Sequence, residues 1–224
     1  MSSPSDSFRR WFRGAGGSQS RSEEKNVSSN RIARRSTALG DFMRGLKPQG
    51  EEKLHVLDLG PTSPNNIAFL TELGTRVYNE DILRASQDNS YRLAGEDGSE
   101  QFDEARFFAD NLAYGPDHFD AVLFWDSLEY LPEALVVPLI EKIQTVVKPR
   151  GTLLAFFHTK EAGPEASGYR YHIVQPDTLE LEPRPGTRLQ RVFQNRHIEN
   201  LFKDFASRKF FLGRDNIREV ILVR

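Results

Sequence analysis

Residues 119–159 read FDAVLFWDSLEYLPEALVVPLIEKIQTVVKPRGTLLAFFHT. The run from Phe119 to Trp125 is too apolar for a half-exposed strand and suits the centre of a parallel sheet covered on both faces. PEALVVPLIEKIQTVV has the spacing of a helix starting near Pro132, with Pro138 inside it as a kink or local irregularity. KPRG then turns the chain into a second apolar strand, TLLAFFHT. Two buried strands joined by a helix require a crossover, so the pattern predicts parallel neighbours and an α/β domain.

The same alternation extends toward the N-terminus. NRIARRSTALGDFMRGL places Ile32, Leu39, Phe42, Met43 and Leu46 near helical spacing, which predicts a leading helix ending around Gly45 to Pro48. KLHVLDLG reads as a buried strand ending at Asp58. SPNNIAFLTELG is punctuated as a helix, with Ser63 as N-cap, Pro64 at the first helical position and Gly74 as the stop. TRVYNEDI is a short strand ending in acids, the stretch from Leu83 to Ala105 is polar and mixed, and RFFAD reads as another strand. Beyond His158, KEAGPEASG is a loop by composition. YRYHIVQ and TRLQRVFQN read as two strands separated by the proline-rich PDTLELEPRPG. RHIENLFKDF is an amphipathic helix, and SRKFFLGR with REVILVR forms a final strand pair.

A chain of 224 residues suits one domain with tails. No apolar run reaches the roughly 18–20 residues of a membrane helix. With no Cys in the sequence, thiolate metal sites, disulfides and cysteine nucleophiles are excluded. No apolar leader segment precedes a cleavage site, so a cytoplasmic location is expected. The net charge of -2 conceals an asymmetry: residues 1–35 hold eight Lys or Arg against three acids, leaving 22 basic and 29 acidic residues for the rest. Residues 1–30 are expected to be a disordered basic Ser/Gly-rich tail and 31–224 the folded domain, with a hairpin insertion near 160–193. FRRWFR, from Phe8 to Arg13, is the one stretch of the tail suited to docking on a surface. A basic tail also leaves nucleic acid open as a partner, although a small-molecule substrate is the expectation.

Three local features, VLDLG, YNEDI and the block from Phe119 to Thr159, resemble the class I S-adenosylmethionine (SAM)-dependent methyltransferases. The first corresponds to their first motif, the second to the acidic end of their second strand, and the third to their fourth strand, following helix and fifth strand. The KPRG turn is its most specific part, and the resemblance covers roughly residues 40–224. It implies a Rossmann-like three-layer α/β/α sandwich with a mostly parallel seven-stranded sheet and an antiparallel C-terminal strand. It also implies SAM as cofactor. Gly60 lets the backbone pass close to the methionine part. Asp81, with Glu80 as competitor, accepts from the ribose hydroxyls. Asp110, with Asn111 or Leu112 nearby, meets the adenine amino group, and Asp126 faces the methionine moiety and the methyl acceptor. Asp58 and Thr62 complete the expected cofactor set. Each acid has a plainer role available, as a turn former or helix cap.

Methyl transfer from a sulfonium needs alignment and, for an alcohol or amine, a base. His158 at the rim and Asp126 are the candidate catalytic residues, whereas His55 reads as structural and no metal-ligand spacing joins His118, His172 and His197. Tyr169, Arg170 and Tyr171 line an acceptor pocket or form a plain edge hairpin. Two departures matter. Where the family reads D-x-G-x-G-x-G, Thr62 and Pro64 stand for the second and third glycines. The alternative is therefore a catalytically inactive methyltransferase-like binding or regulatory domain. A nicotinamide-dependent oxidoreductase is set aside, because G-x-G-x-x-G is absent.

Overall fold

A computed structural model describes residues 31–47, 52–94, 99–159, 168–213 and 215–224. Residues 1–30, with FRRWFR, and residues 160–167 lie outside the described residues.

The central sheet follows from the buried runs. Strands β2 (His55–Asp58), β3 (Arg76–Asn79), β6 (Phe119–Trp125) and β7 (Val147–His158) are parallel, and β10 (Ser207–Leu212) and β11 (Ile217–Val223) add antiparallel neighbours. The order is β10-β11-β7-β6-β2-β3. Helix α2 (Pro64–Glu72) joins β2 to β3, and α5 (Glu133–Val146), with Pro138 inside, joins β6 to β7. Alternate side chains along each strand enter opposite layers. Leu57, Val122, Phe124, Leu153 and Phe157 pack with Leu135, Leu139 and Ile143 of α5. Val56, Ala121, Leu123, Leu154 and Phe156 pack with Leu39 and Phe42 of α1 (Thr37–Gly45). KPRG, read as a turn before the strand, lies inside β7 as an irregularity with Arg150 at φ +68°, and it needs glycine at 151, where a Cβ would lie 2.4 Å from Val147 Cγ1 and 2.8 Å from the Lys148 carbonyl oxygen.

Four expectations need correction. The sheet has six strands among the described residues, because RFFAD is helical: α4 (Glu104–Asn111) starts at Asp103, whose carboxylate accepts from the Arg106 amide. The leading helix is shorter than read, since Ile32–Arg35 forms β1 and Ser36 caps α1 from Leu39 N–H. TRLQRVFQN is not a strand. Its place is taken by β9 (Thr178–Arg184), inside the proline-rich stretch, which pairs with β8 (Gly168–Gln175) and with β1 in a separate sheet ordered β1-β9-β8. Pro183 is tolerated there because β1 pairs only as far as Leu181, so the missing N–H faces no ladder on that side.

Between β3 and α4 lie α3 (Ile82–Ala85) and a small hairpin of β4 (Arg92–Ala94) and β5 (Glu100–Phe102). Before the final strand pair comes α6 (Asn195–Leu201). The β1-β9-β8 sheet covers the α1 side of the central sheet through Tyr171, Ile173, Leu179 and Leu181. It is fastened by buried Arg34, which is paired with Asp215 and Glu219. The other Glu219 oxygen accepts the Ala38 N–H at 2.8 Å.

Candidate active site

From β2 the chain moves to β3 on one side and later to β6 on the other, so the order of strands reverses direction at β2. In open α/β sheets, ligands bind outside the carboxyl ends of the strands at such a point. Asp58, Asn79, Trp125 and His158 end the four parallel strands on that edge.

The turn after β2 is held by its own side chains. The Asp58 carboxylate accepts from Gly60 N–H at 3.0 Å, Trp125 Nε1–H at 2.6 Å and Asn66 Nδ2–H at 3.0 Å. Burial pushes this carboxyl above its ordinary range, against the lowering effect of those three donors. Asn79 donates to the carbonyls of Asp58 and Gly60 and accepts from the Thr62 hydroxyl. Trp125 has φ +52°, beside a register irregularity in the β6–β7 ladder. Such irregularities re-aim a side chain. The indole is stacked on Tyr171, with centroids 5.0 Å apart and planes 4° from parallel. It also lies against Gly60, where an added Cβ would come within 2.6 Å of Trp125 Cδ1.

The start of α2 follows the sequence signals, with Ser63 capping and Pro64 at the first position. The Asn66 N–H is taken up by the cap, because Ser63 Oγ accepts it. The Asn66 side chain instead donates to Asp58 and to the Tyr171 carbonyl and accepts from Ile173 N–H. Together with the Ser63–His172 contact at 2.9 Å, this docks β8 on the helix start.

At the end of β3 two half-buried carboxylates stand side by side. Glu80 accepts from Tyr114 O–H at 2.8 Å through one oxygen. Asp81 accepts from Arg84 N–H at 3.1 Å, capping α3, and the same oxygen lies 3.6 Å from Arg184 of β9. Among the described residues, the second oxygen of each has no hydrogen-bond partner. Asp110 and Asn111 sit on α4, not at a strand end. Both engage Tyr91: its hydroxyl donates to Asp110 at 3.2 Å and accepts from Asn111 at 3.0 Å.

Further along the edge, Asp126 follows β6 and is almost fully buried. Burial pushes its carboxyl up to about 6, although the His158 charge and the Tyr171 hydroxyl, donating at 3.0 Å, pull it down. A 3-10 turn, Ser127–Glu129, brings the Glu129 carboxylate back to the end of β7. It is fully buried and accepts from the His158 backbone N–H and lies 2.7 Å from His158 Nδ1. Phe193 N–H donates to its other oxygen at 3.2 Å. Burial lowers the basicity of His158, but the Glu129 hydrogen bond and the charges of Glu129 and Asp126 outweigh it and raise the pKa. His158 Nε2 has no hydrogen bond to any described residue.

The structure thus brings Asp58, Gly60, Thr62, Asp81, Asp126 and His158 to one edge. Asp58 is consumed inside the turn, with 2% of its surface exposed. Asn79, Trp125, Glu129 and Arg184 were missed by sequence reasoning. The signal for Glu129 was a lone acid within the otherwise apolar SLEYL segment.

The family model described as "Methyltransferase domain" matches residues 31–205. No curated protein matches the chain. Among solved structures, the PH0226 protein from Pyrococcus horikoshii is similar at 17% identity, covering 92% of each chain with a TM-score of 0.50, and shows the same fold. A SAM-dependent methyltransferase from Mesorhizobium loti is 14% identical, covering 84% of this chain and 98% of its own, with a TM-score of 0.48. A Burkholderia thailandensis 1,6-didemethyltoxoflavin-N1-methyltransferase is 14% identical, with coverages of 91% and 81% and a TM-score of 0.43.

Proposed function

The chain belongs to the methyltransferase-domain family, and from that premise we propose that it is an enzyme transferring a methyl group from SAM to a small-molecule acceptor. The observation that carries the reading is the carboxyl edge itself. Glu80 and Asp81 each offer an oxygen with no hydrogen-bond partner among the described residues, beside the Gly60 turn, and Asp126 and His158 follow on the same edge. Those groups fit the cofactor: the β3 carboxylates suit vicinal ribose hydroxyls, and the Thr62–Asn79 rim suits polar contact. When bound, SAM supplies an activated methyl group. The protein then has to hold the acceptor in line and manage its proton.

A second reading, a binding domain without transfer, is favoured by the turn. Trp125 covers the open face of Gly60, and Asp58 and Asn66 are bonded internally. Calorimetric titration with SAM and with S-adenosylhomocysteine separates the two. The enzyme reading expects saturable heat, with affinity reduced about tenfold or more by Asp81→Ala, the loss for a hydrogen bond to a charged group. No heat at millimolar ligand would leave the second reading standing.

A further inference from the structure

We infer that His158 is the proton acceptor for the group being methylated, that Glu129 is its positioning residue, and that the acceptor therefore carries a proton it must lose, as a hydroxyl or amine does. This rests on the methyltransferase reading for the identity of the reaction, but its geometry stands separately. Glu129 is a buried carboxylate engaged by both the main chain and the ring of the same histidine, at 2.7 Å each. A carboxylate accepts and does not donate, so the ring must present Nδ1–H to it. In the neutral ring that leaves the lone pair on Nε2, which no described residue uses. An imidazole fixed in this tautomer by a buried carboxylate is the arrangement a general base requires.

The surrounding groups are consistent with a proton-accepting ring. Asp126 from the end of β6 acts on His158 electrostatically, and Tyr130 meets it in a T-shaped contact with ring centroids 5.9 Å apart. Its partner on β11 is the apolar Ile217, and Arg191 reaches the carbonyls of Leu128 and Leu131 beside Glu129. In the step, a bond forms between the acceptor atom and the methyl carbon. The methyl–sulfur bond breaks with its electron pair remaining on sulfur. The acceptor proton passes to His158 Nε2 and from there to water, leaving S-adenosylhomocysteine and the methylated product. A thioether has no proton to give and would make no use of the dyad.

The test uses the full chain labelled with 15N in histidine, the His158 signals being those lost in His158→Gln. In the wild type, above its titration midpoint, Nδ1 should resonate as the protonated nitrogen and Nε2 as the unprotonated one. Glu129→Gln should lower the midpoint and mix the tautomers, and Glu129→Asp should restore part of both. A proton on Nε2 in the neutral wild-type ring overturns the inference. So does a folded Glu129→Gln protein with unchanged tautomer and midpoint. If Glu129→Gln does not fold, the wild-type tautomer still decides. Absence of SAM binding in the calorimetry defeats the methyltransferase reading instead, and the two failures are thereby distinct.

Discussion

Asp126→Asn should change how stability depends on pH in a direction opposite to that of most carboxylate replacements. The native carboxyl is raised by burial from 3.8 to about 6. Each pKa unit is worth about 1.4 kcal/mol, so the ionised form is disfavoured in the fold by ~3 kcal/mol. The sign follows from proton uptake. Below about pH 4 both folded and unfolded chains hold the proton, and the group costs nothing. Between 4 and 6 the unfolded chain loses it first, so stability falls as pH rises, and above 6 the full cost is present. Asparagine has no such titration and can still accept from Tyr171 O–H through its carbonyl oxygen. Urea unfolding of both proteins from pH 4 to 8 gives a difference curve in which groups common to both cancel. The difference should move in favour of Asn by about 1–3 kcal/mol between pH 4 and 7, whatever its offset at pH 4. A flat difference, or movement in favour of Asp, refutes the account of a carboxylate held in the fold against its own desolvation.

Gly60→Ala should cost about 1–3 kcal/mol by overpacking, since its Cβ would meet the indole of Trp125 at 2.6 Å; Trp125→Leu in the same chain should recover part of it in thermal melts. Arg34→Met should cost about 3–5 kcal/mol, because it strands the buried Glu219 carboxylate, and adding Glu219→Gln should return part of that in urea unfolding. Asn66→Ala should cost about 2 kcal/mol or more by leaving Asp58, the Tyr171 carbonyl and the Ile173 N–H each short of a partner. Hydrogen exchange at the Ile173 amide should then quicken more than at the Val122 amide in the centre of β6.

The parallel core was legible because its signals are local and redundant. Phe119 to Trp125 is apolar throughout, and Ser63, Pro64 and Gly74 punctuate α2 at both ends, with Gly74 at φ +78°. The errors arose where short apolar runs carry no period. RFFAD offers two aromatics in five residues, and what decides it is Asp103, a cap lying just outside the run. TLELEPR does alternate, with Leu179 and Leu181 buried and Glu180 and Glu182 half-buried, but Pro183 within it and Pro176 and Pro185 beside it masked a period of two. The candidate site was legible only as strand ends. That Asp58 faces inward depends on Trp125, 67 residues away, and the Glu129–His158 pair spans 29 residues. Neither contact has any local signature.

The altered turn after β2 is best understood as a change in what supplies rigidity. Glycines in such a loop let the backbone bend and let another group come close. Here the bend is fixed from outside by side-chain amides, Asn79 on the carbonyls of Asp58 and Gly60, and Asn66 on the Asp58 carboxylate. Pro64 adds no cost, because the first helical N–H has no partner within the helix in any case. Only Gly60 remains under the constraint glycine answers, and its close neighbour is Trp125 rather than open space. A ligand at this edge would meet a prebuilt turn, beside which, among the described residues, one carboxylate oxygen each of Glu80 and Asp81 has no hydrogen bond. The face toward the β8–β9 hairpin is already occupied by the Trp125–Tyr171 stack and the Asn66 bonds. The indole thus both stiffens the turn and narrows the direction from which a ligand can enter it.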